Sequence, residues 1–245
     1  MTTLRLRAAG LVWPVALALP VLALLIGLGT WQMQRKAWKE DLIAQITARV
    51  HQTPVPLAEL EKRTTDNLEY ARAHVRGTFQ HDREQFLWEP DPRQGPGYHV
   101  YTPLRLDDGR FILINRGYVT DAKKSPSSRP EGQLKGEVDV TGLIREPVAR
   151  AMFSPDHDAR TGVWYWRDVD GMTKAALGSD AGKAVRFTLD AEATPASPGG
   201  WPQGGVTRLT LPNRHLEYAL TWYGLALTLV GVLAAFIFGR WRATA

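Results

Sequence analysis

Two long stretches without a single charge decide what this chain can become. Residues 8–34, 27 in a row, hold no Lys, Arg, Asp or Glu, and neither do the 22 residues from Tyr218 to Gly239. All 25 acidic residues fall between Glu40 and Glu217. A bilayer core about 30 Å thick is crossed by roughly 20 apolar residues rising 1.5 Å each. Leu11–Thr30 and Tyr218–Gly239 both meet that length. A core helix of a soluble protein rarely stays uncharged for so long, a disordered chain would lack such apolar blocks, and a polytopic transporter would need more than two of them. The sequence therefore predicts a membrane α+β hairpin: a tail over 1–10, a transmembrane helix over 11–34, a water-soluble domain over 35–217, a second transmembrane helix over 218–239 and a tail over 240–245.

The first block competes with a cleaved signal peptide, because Arg5 and Arg7 precede it. Its apolar run exceeds the roughly 7–15 residues of a signal h-region, and no small-x-small site follows its end. Ala16-Leu17-Ala18 fits such a site but lies inside the run. An uncleaved anchor is expected, with a kink near Pro20. The tails hold Arg5, Arg7, Arg240 and Arg242 and no acids, which places both termini in the cytoplasm and the central domain in the periplasm. Ten residues before the first span are too few for a mitochondrial presequence, so a bacterial inner membrane is expected. The chain has no Cys. That excludes disulfides, thiolate metal sites and a Cys-x-x-Cys-His haem attachment.

Between the spans, Arg35–Glu217 carries 26 basic and 25 acidic residues, the balance of an ordinary soluble domain. Trp38, Leu42 and Ile46 recur at four-residue steps and continue the first helix to Ala48. Pro54 and Pro56 end it. Strands are expected over His74–Phe79, Gln85–Trp88, Tyr98–Leu106, Phe111–Tyr118, Glu137–Arg145 and Lys183–Asp190. Asp107-Asp108-Gly109 marks a hairpin. A short helix is expected over Asp168–Leu177, and a Pro- and Gly-rich loop over Ala191–Gly205. The domain reads as mainly antiparallel β, a small barrel or sandwich.

Enzymatic signatures are missing: there is no Gly-x-Ser-x-Gly, His-Glu-x-x-His, P-loop or dinucleotide fingerprint. Asp156-His157-Asp158 reads as a solvated loop before a cation site. No catalytic triad suggests itself, and no enzyme is expected. The informative residues gather where the helices leave the membrane on the outer side. Trp31, Arg35 and Trp38 share one helix face by i, i+4, i+7 spacing, with Gln32 and Lys39 nearby. His215, Tyr218 and Trp222 share a face of the second helix, just after Asn213 and Arg214. Interfacial aromatic belts and snorkelling cations account for such residues without any ligand. A neutral imidazole at this position can also ligate haem iron, with Arg35 and Arg214 pairing propionates and flat rings covering the macrocycle. On chemistry alone, a haem site, a quinone site and an ordinary interfacial histidine all stand open.

The same residues carry a family resemblance. Gly29–Lys39 (Gly-Thr-Trp-Gln-Met-Gln-Arg-Lys-Ala-Trp-Lys) resembles the signature that opens the Surfeit locus 1 family. Gly97–Leu104 and Ile114–Val119 resemble its two central β motifs, Trp164–Asp168 its tryptophan-rich segment and Asn213–Tyr223 its closing signature. The matches run in order from residue 29 to residue 223. One departure is Tyr118, where the family pattern has Trp after Asn-Arg-Gly. The resemblance implies an assembly factor for haem-copper terminal oxidases, mainly cytochrome c oxidase, that binds haem a and aids its insertion into the catalytic subunit. It implies that subunit as partner, with haem a synthase a further candidate, lipid as surroundings and no nucleic acid. His215 occupies the position of the implied iron ligand. Trp31, Arg35, Arg214, Tyr218 and Trp222 are the other candidate cofactor-binding residues. Within the second β motif, Asn115, Arg116 and Gly117 are weaker carry-overs. Gly117 suits backbone geometry, and Arg116 suits an ion pair as well as a partner contact. The alternative class is a cofactor-free scaffold that clamps an oxidase intermediate.

Overall fold

A computed structural model describes residues 10–63, 67–92, 94–158, 161–209 and 211–243. Arg5 and Arg7, on which the expected orientation leans, lie outside the described residues. The chain divides into two compact units, one holding the two terminal helices and the other residues 46–209.

In the helical unit, α1 (Val12–Val50) runs for 39 residues with Pro20 inside it. At 1.5 Å per residue that is about 58 Å, far more than one bilayer core requires. The apolar first half and the Trp38–Ile46 stripe thus belong to one continuous helix. The second long helix, which we label α4 for its place in the chain, covers His215–Ala243. Both are long and apolar enough to cross a membrane. On α1 the covered positions Ala18, Leu22, Leu25, Gly29, Gln32 and Lys36 alternate steps of four and three. On α4, His215, Ala219, Trp222, Ala226 and Leu229 do the same. That is the seam of a helix pair, and its most buried positions are mostly small residues, which let backbones approach. At Gly29 the approach is tight: a Cβ there would stand 2.6 Å from the ring of Tyr223 on α4. The Tyr223 hydroxyl lies 3.1 Å from Thr30 Oγ1. Because the Thr30 hydroxyl already donates to the Ile26 carbonyl, Tyr223 is the donor.

The other unit is sheet-rich. Its elements in order are β1 (Val55–Pro56), α2 (Leu57–Glu61), β2 (Arg72–Phe79), β3 (Gln85–Trp88), β4 (Gly97–Leu106), β5 (Phe111–Thr120), β6 (Glu137–Arg145), β7 (Val163–Trp164), α3 (Val169–Leu177) and β8 (Ala184–Ala191). The sheet order is β1-β2-β6-β8-β5-β4-β3-β7, and β2 also pairs with β4 through Gly77–Phe79 and Leu104–Leu106. That second pairing closes β2, β6, β8, β5 and β4 into a five-stranded barrel. Of the two expected forms, the barrel is the one found. It is not wholly antiparallel, since β5 and β8 run parallel inside it. β6 returns beside β2 after the β4–β5 hairpin, a Greek-key path. Gly77 permits the closure: a Cβ there would meet the Arg105 carbonyl at 2.2 Å.

Alternation along the strands sorts the side chains. Val75, Leu104, Ile112, Ile114, Ile144 and Leu189 fill the barrel. The intervening Tyr101 and Leu113 point outward and pack with Leu87, Trp164 and Met172 of the covering β3, β7 and α3. β5 is therefore buried on both faces, which explains its nearly unbroken apolar run. Asp168 caps α3 by accepting a hydrogen bond from the Gly171 amide at 2.9 Å.

Candidate functional site

The seam of the helix pair sets which side chains can meet His215. Its Nδ1 lies 2.7 Å from Oε1 of Gln32, one of the few buried polar residues of α1. A carboxamide oxygen only accepts, so Nδ1 carries a proton, and in the neutral imidazole Nε2 then keeps its lone pair. No hydrogen bond engages Nε2 among the described residues. Metal-ligating histidines are commonly arranged this way: the far nitrogen is fixed by a carbonyl-type acceptor, which sets the tautomer and the ring plane and leaves the near nitrogen basic. Lys36 stands one turn beyond Gln32 on the same seam and pairs with Glu40 at 2.7 Å.

The other expected site residues fall differently. Trp31 and Trp38 are 54% and 50% exposed, and Arg35 stacks on the Trp38 ring with its guanidinium carbon 3.9 Å from the centroid. These three do share a face, but at 100° per residue it lies roughly 130° around the helix from the seam. What α1 offers His215 is Gln32, not Trp31 or Arg35. On α4, half-buried Trp222 lies on the seam with His215, while Tyr218 is 55% exposed. Arg214 pairs with Glu217 at 2.9 Å in an exposed ion pair, a contact weak enough to exchange for another anion. Sequence reasoning named Gln32 but passed it over for its aromatic neighbours. The signal that picks it out is the four-three spacing from Leu22 and Leu25 through Gly29.

The Asn115-Arg116-Gly117 motif works in the barrel, and each residue has its own task. His99 pairs with Tyr118 and Tyr101 with Asn115, so β5 carries an extra residue there, a β-bulge. Asn115 faces outward, donating to Asp190 Oδ1 at 3.0 Å. Arg116 faces inward over the Phe79 ring and pairs with Glu84 at 3.3 Å. Glu84 also binds Arg129 through both carboxylate oxygens, and all three side chains are almost fully buried. Burial pushes the Arg116 guanidinium down to about 10, partly offset by Glu84, so it stays protonated at neutral pH. Burial also works to raise the Glu84 carboxyl, yet His81 beside it at 3.7 Å and the hydrogen-bonded Arg129 outweigh it and its pKa ends lowered. Arg116 is thus a structural ion-pair residue. Gly117 has φ +119°, and a Cβ there would sit 1.8 Å from the Gln203 carbonyl oxygen. That close approach lets the returning chain exchange two backbone hydrogen bonds of 2.9 Å with Tyr118.

Asp156, His157 and Asp158 do not converge. Asp156 pairs with Arg150 at 2.8 Å, and His157 stacks on Trp164 with centroids 4.0 Å apart. No group of three metal-ligating side chains occurs among the described residues.

These motifs are those of a known family, whose model matches residues 19–227 under the description SURF1 family. The chain belongs to the SURF1 family. Surfeit locus protein 1 of Homo sapiens is 40% identical over 228 residues, covering 86% of this chain and 73% of that protein. The Rattus norvegicus protein of the same name is 40% identical over 214 residues, covering 81% and 67%. A SURF1-like protein of Monosiga brevicollis is 40% identical over 234 residues, covering 90% and 85%. The SURF1 match spans the seam residues Gly29 and Gln32 as well as His215, Trp222 and the barrel motif.

Proposed function

We propose that this protein is a membrane-anchored haem a carrier for assembly of cytochrome c oxidase. Membership of the SURF1 family supports the oxidase-assembly part of this reading. The carrier part rests on one observation: Gln32 Oε1 at 2.7 Å from His215 Nδ1, which leaves Nε2 of the neutral imidazole available as an iron donor. In this reading α1 and α4 cross a bacterial inner membrane with both termini cytoplasmic and the sheet domain periplasmic. His215 then sits at the first turn of α4, at the lipid–water boundary. Haem a is cargo here, handed on unchanged, and the protein has no turnover of its own. Trp222 supplies a flat apolar flank on the seam, and Arg214 exchanges Glu217 for a propionate. Lys36 is better placed for the second propionate than Arg35, because it shares the seam with Gln32. The partner is the catalytic subunit of the oxidase, with haem a synthase as the source of cargo.

The test is optical spectroscopy of the full chain purified from a host that makes haem a. The native chain is expected to show a Soret band that His215→Ala abolishes while membrane extraction is unchanged. Full haem loading of that variant would overturn His215 as ligand. A second reading, a cofactor-free scaffold, draws on the outward Trp31–Arg35–Trp38 face, which offers a stacked cation and exposed rings to another protein. A native chain free of any Soret band would favour it.

A further inference from the structure

The sheet domain holds a cavity of about 360 Å³ that the haem reading does not use. It lies against the outer wall of the barrel, where four neighbouring strands each contribute a polar side chain. These are His99 from β4, Asn115 from β5, Asp190 from β8 and Arg145 from β6. Asp190 is 3% exposed and Asn115 2%. Burying such groups costs free energy unless they are satisfied. They are joined in a chain: Asn115 donates to Asp190 at 3.0 Å, as do Arg145 at 2.9 Å and Thr207 at 2.8 Å. Arg145 is also held by Glu69 at 2.8 Å, so it is consumed by two acids. A built and satisfied polar floor beneath an open volume has the make-up of a ligand site, not of a packed core.

The walls indicate what fits. Trp88, Tyr165 and Trp166, three aromatic residues, are part of its lining. Arg167 lines it too, and its one hydrogen bond among the described residues goes to the neutral Glu146 carbonyl at 2.9 Å. Its Nε is buried with no partner, and no acid pairs with it among the described residues. A guanidinium with no acid partner among the described residues is suited to an anion with a planar acceptor edge, above all a carboxylate. Arg208 and Glu89, both in the lining, face each other at 3.9 Å and offset one another, which leaves Arg167 as the lining cation with no acid partner among the described residues. Burial lowers the pKa of His99, so the imidazole favours its neutral form and adds no charge of its own.

We propose that this cavity binds a small, flat organic carboxylate, its anionic group held by Arg167 and its ring lying on the indoles of Trp88 and Trp166. The site is independent of His215. The probe is 2-naphthoate, titrated calorimetrically into the full chain in lipid nanodiscs with empty discs subtracted. Saturable one-to-one binding is expected. The neutral 2-naphthylmethanol should bind about tenfold more weakly, the usual worth of one charge-assisted pair. Arg167→Gln should abolish that preference, Arg167→Lys should retain part of it, and His215→Ala should leave it untouched. Non-saturable uptake, or equal binding of acid and alcohol by the native chain, would overturn the proposal. So would an acid preference that survives in Arg167→Gln. The acid–alcohol comparison needs no variant, so it stands even where Arg167→Gln fails to fold. Displacement of naphthoate by an acidic peptide of higher affinity would reassign the cavity to a protein partner.

Discussion

His215 and Glu84 are polar residues kept at work in surroundings that should reject them, and they are kept in opposite ways. In the helix pair, His215 has one neutral acceptor, Gln32, and otherwise small or half-buried neighbours on the seam. In the barrel, Glu84 is wrapped by Arg116, Arg129 and His81, each within hydrogen-bonding or ion-pairing reach. The first arrangement leaves a valence open. The second closes every one. An open valence is what cargo binding needs and a closed one is what a scaffold needs, so perturbing the two places should give separable defects.

The largest effect is expected at the closed site. Glu84→Gln leaves two buried guanidiniums short of a counter-charge, which costs about 3 kcal/mol or more. Thermal unfolding should show a strongly lowered midpoint, followed by a spectroscopic signal from the sheet domain. The native chain should show the matching pH dependence. A carboxyl whose folded pKa lies below its ordinary 4.5 contributes stability that is complete above that value. The contribution disappears as pH falls through the lowered folded value, because protonation then breaks the pairs. Glu84→Gln should flatten that acid limb. An unchanged acid limb would show that other carboxylates carry it.

A somewhat smaller loss is expected at Gly117. Alanine at φ +119° is strained, and its Cβ would collide with the Gln203 carbonyl. The cost is about 2–3 kcal/mol, read from the same unfolding curve. The collision is with backbone, so the chain after Trp201 must shift, unlike at Gly29, where the nearest atoms belong to the Tyr223 ring. Gly117→Ala is therefore expected to lower the barrel midpoint without reducing haem loading per folded molecule. A loss of haem with an unchanged midpoint would break the comparison.

What the sequence made legible follows the range of the interaction. β3 and β6 begin and end where alternation and turn residues place them, and Asp108 secures the β4–β5 turn by accepting from the Arg110 amide at 3.0 Å. Barrel closure was not legible, because the β2–β4 register joins Gly77 to Leu106 with no local marker. The parallel β5–β8 pair is hidden for the same reason. At the helix pair, His215 stood out by its chemistry. Its partner did not, because the rotational phase of α1 depends on which residues pack. Aromatic residues drew attention to the Trp31 face, while small Gly29 marked the true seam. Arg167 was a charge inside a tryptophan-rich motif, and only folding shows that no acid among the described residues answers it.

The finest test of the open site is Gln32→Leu. Leucine approximates the shape of glutamine and keeps the helix, but removes the acceptor that fixes the Nδ1 proton. The imidazole is then free to rotate and to exchange tautomers, so Nε2 is aimed only part of the time. Loss of such a supporting contact typically weakens metal binding about tenfold, which is roughly 1.4 kcal/mol. Haem a titration of the purified variant should show that weakening with the unfolding midpoint of the sheet domain unmoved. Gln32→Glu should act in the opposite sense, since a carboxylate accepts the Nδ1 proton more strongly and makes Nε2 a better donor. Equal affinity across glutamine, leucine and glutamate would mean that His215 is held by packing alone, and its contact with Gln32 would lose its claim to mark the site.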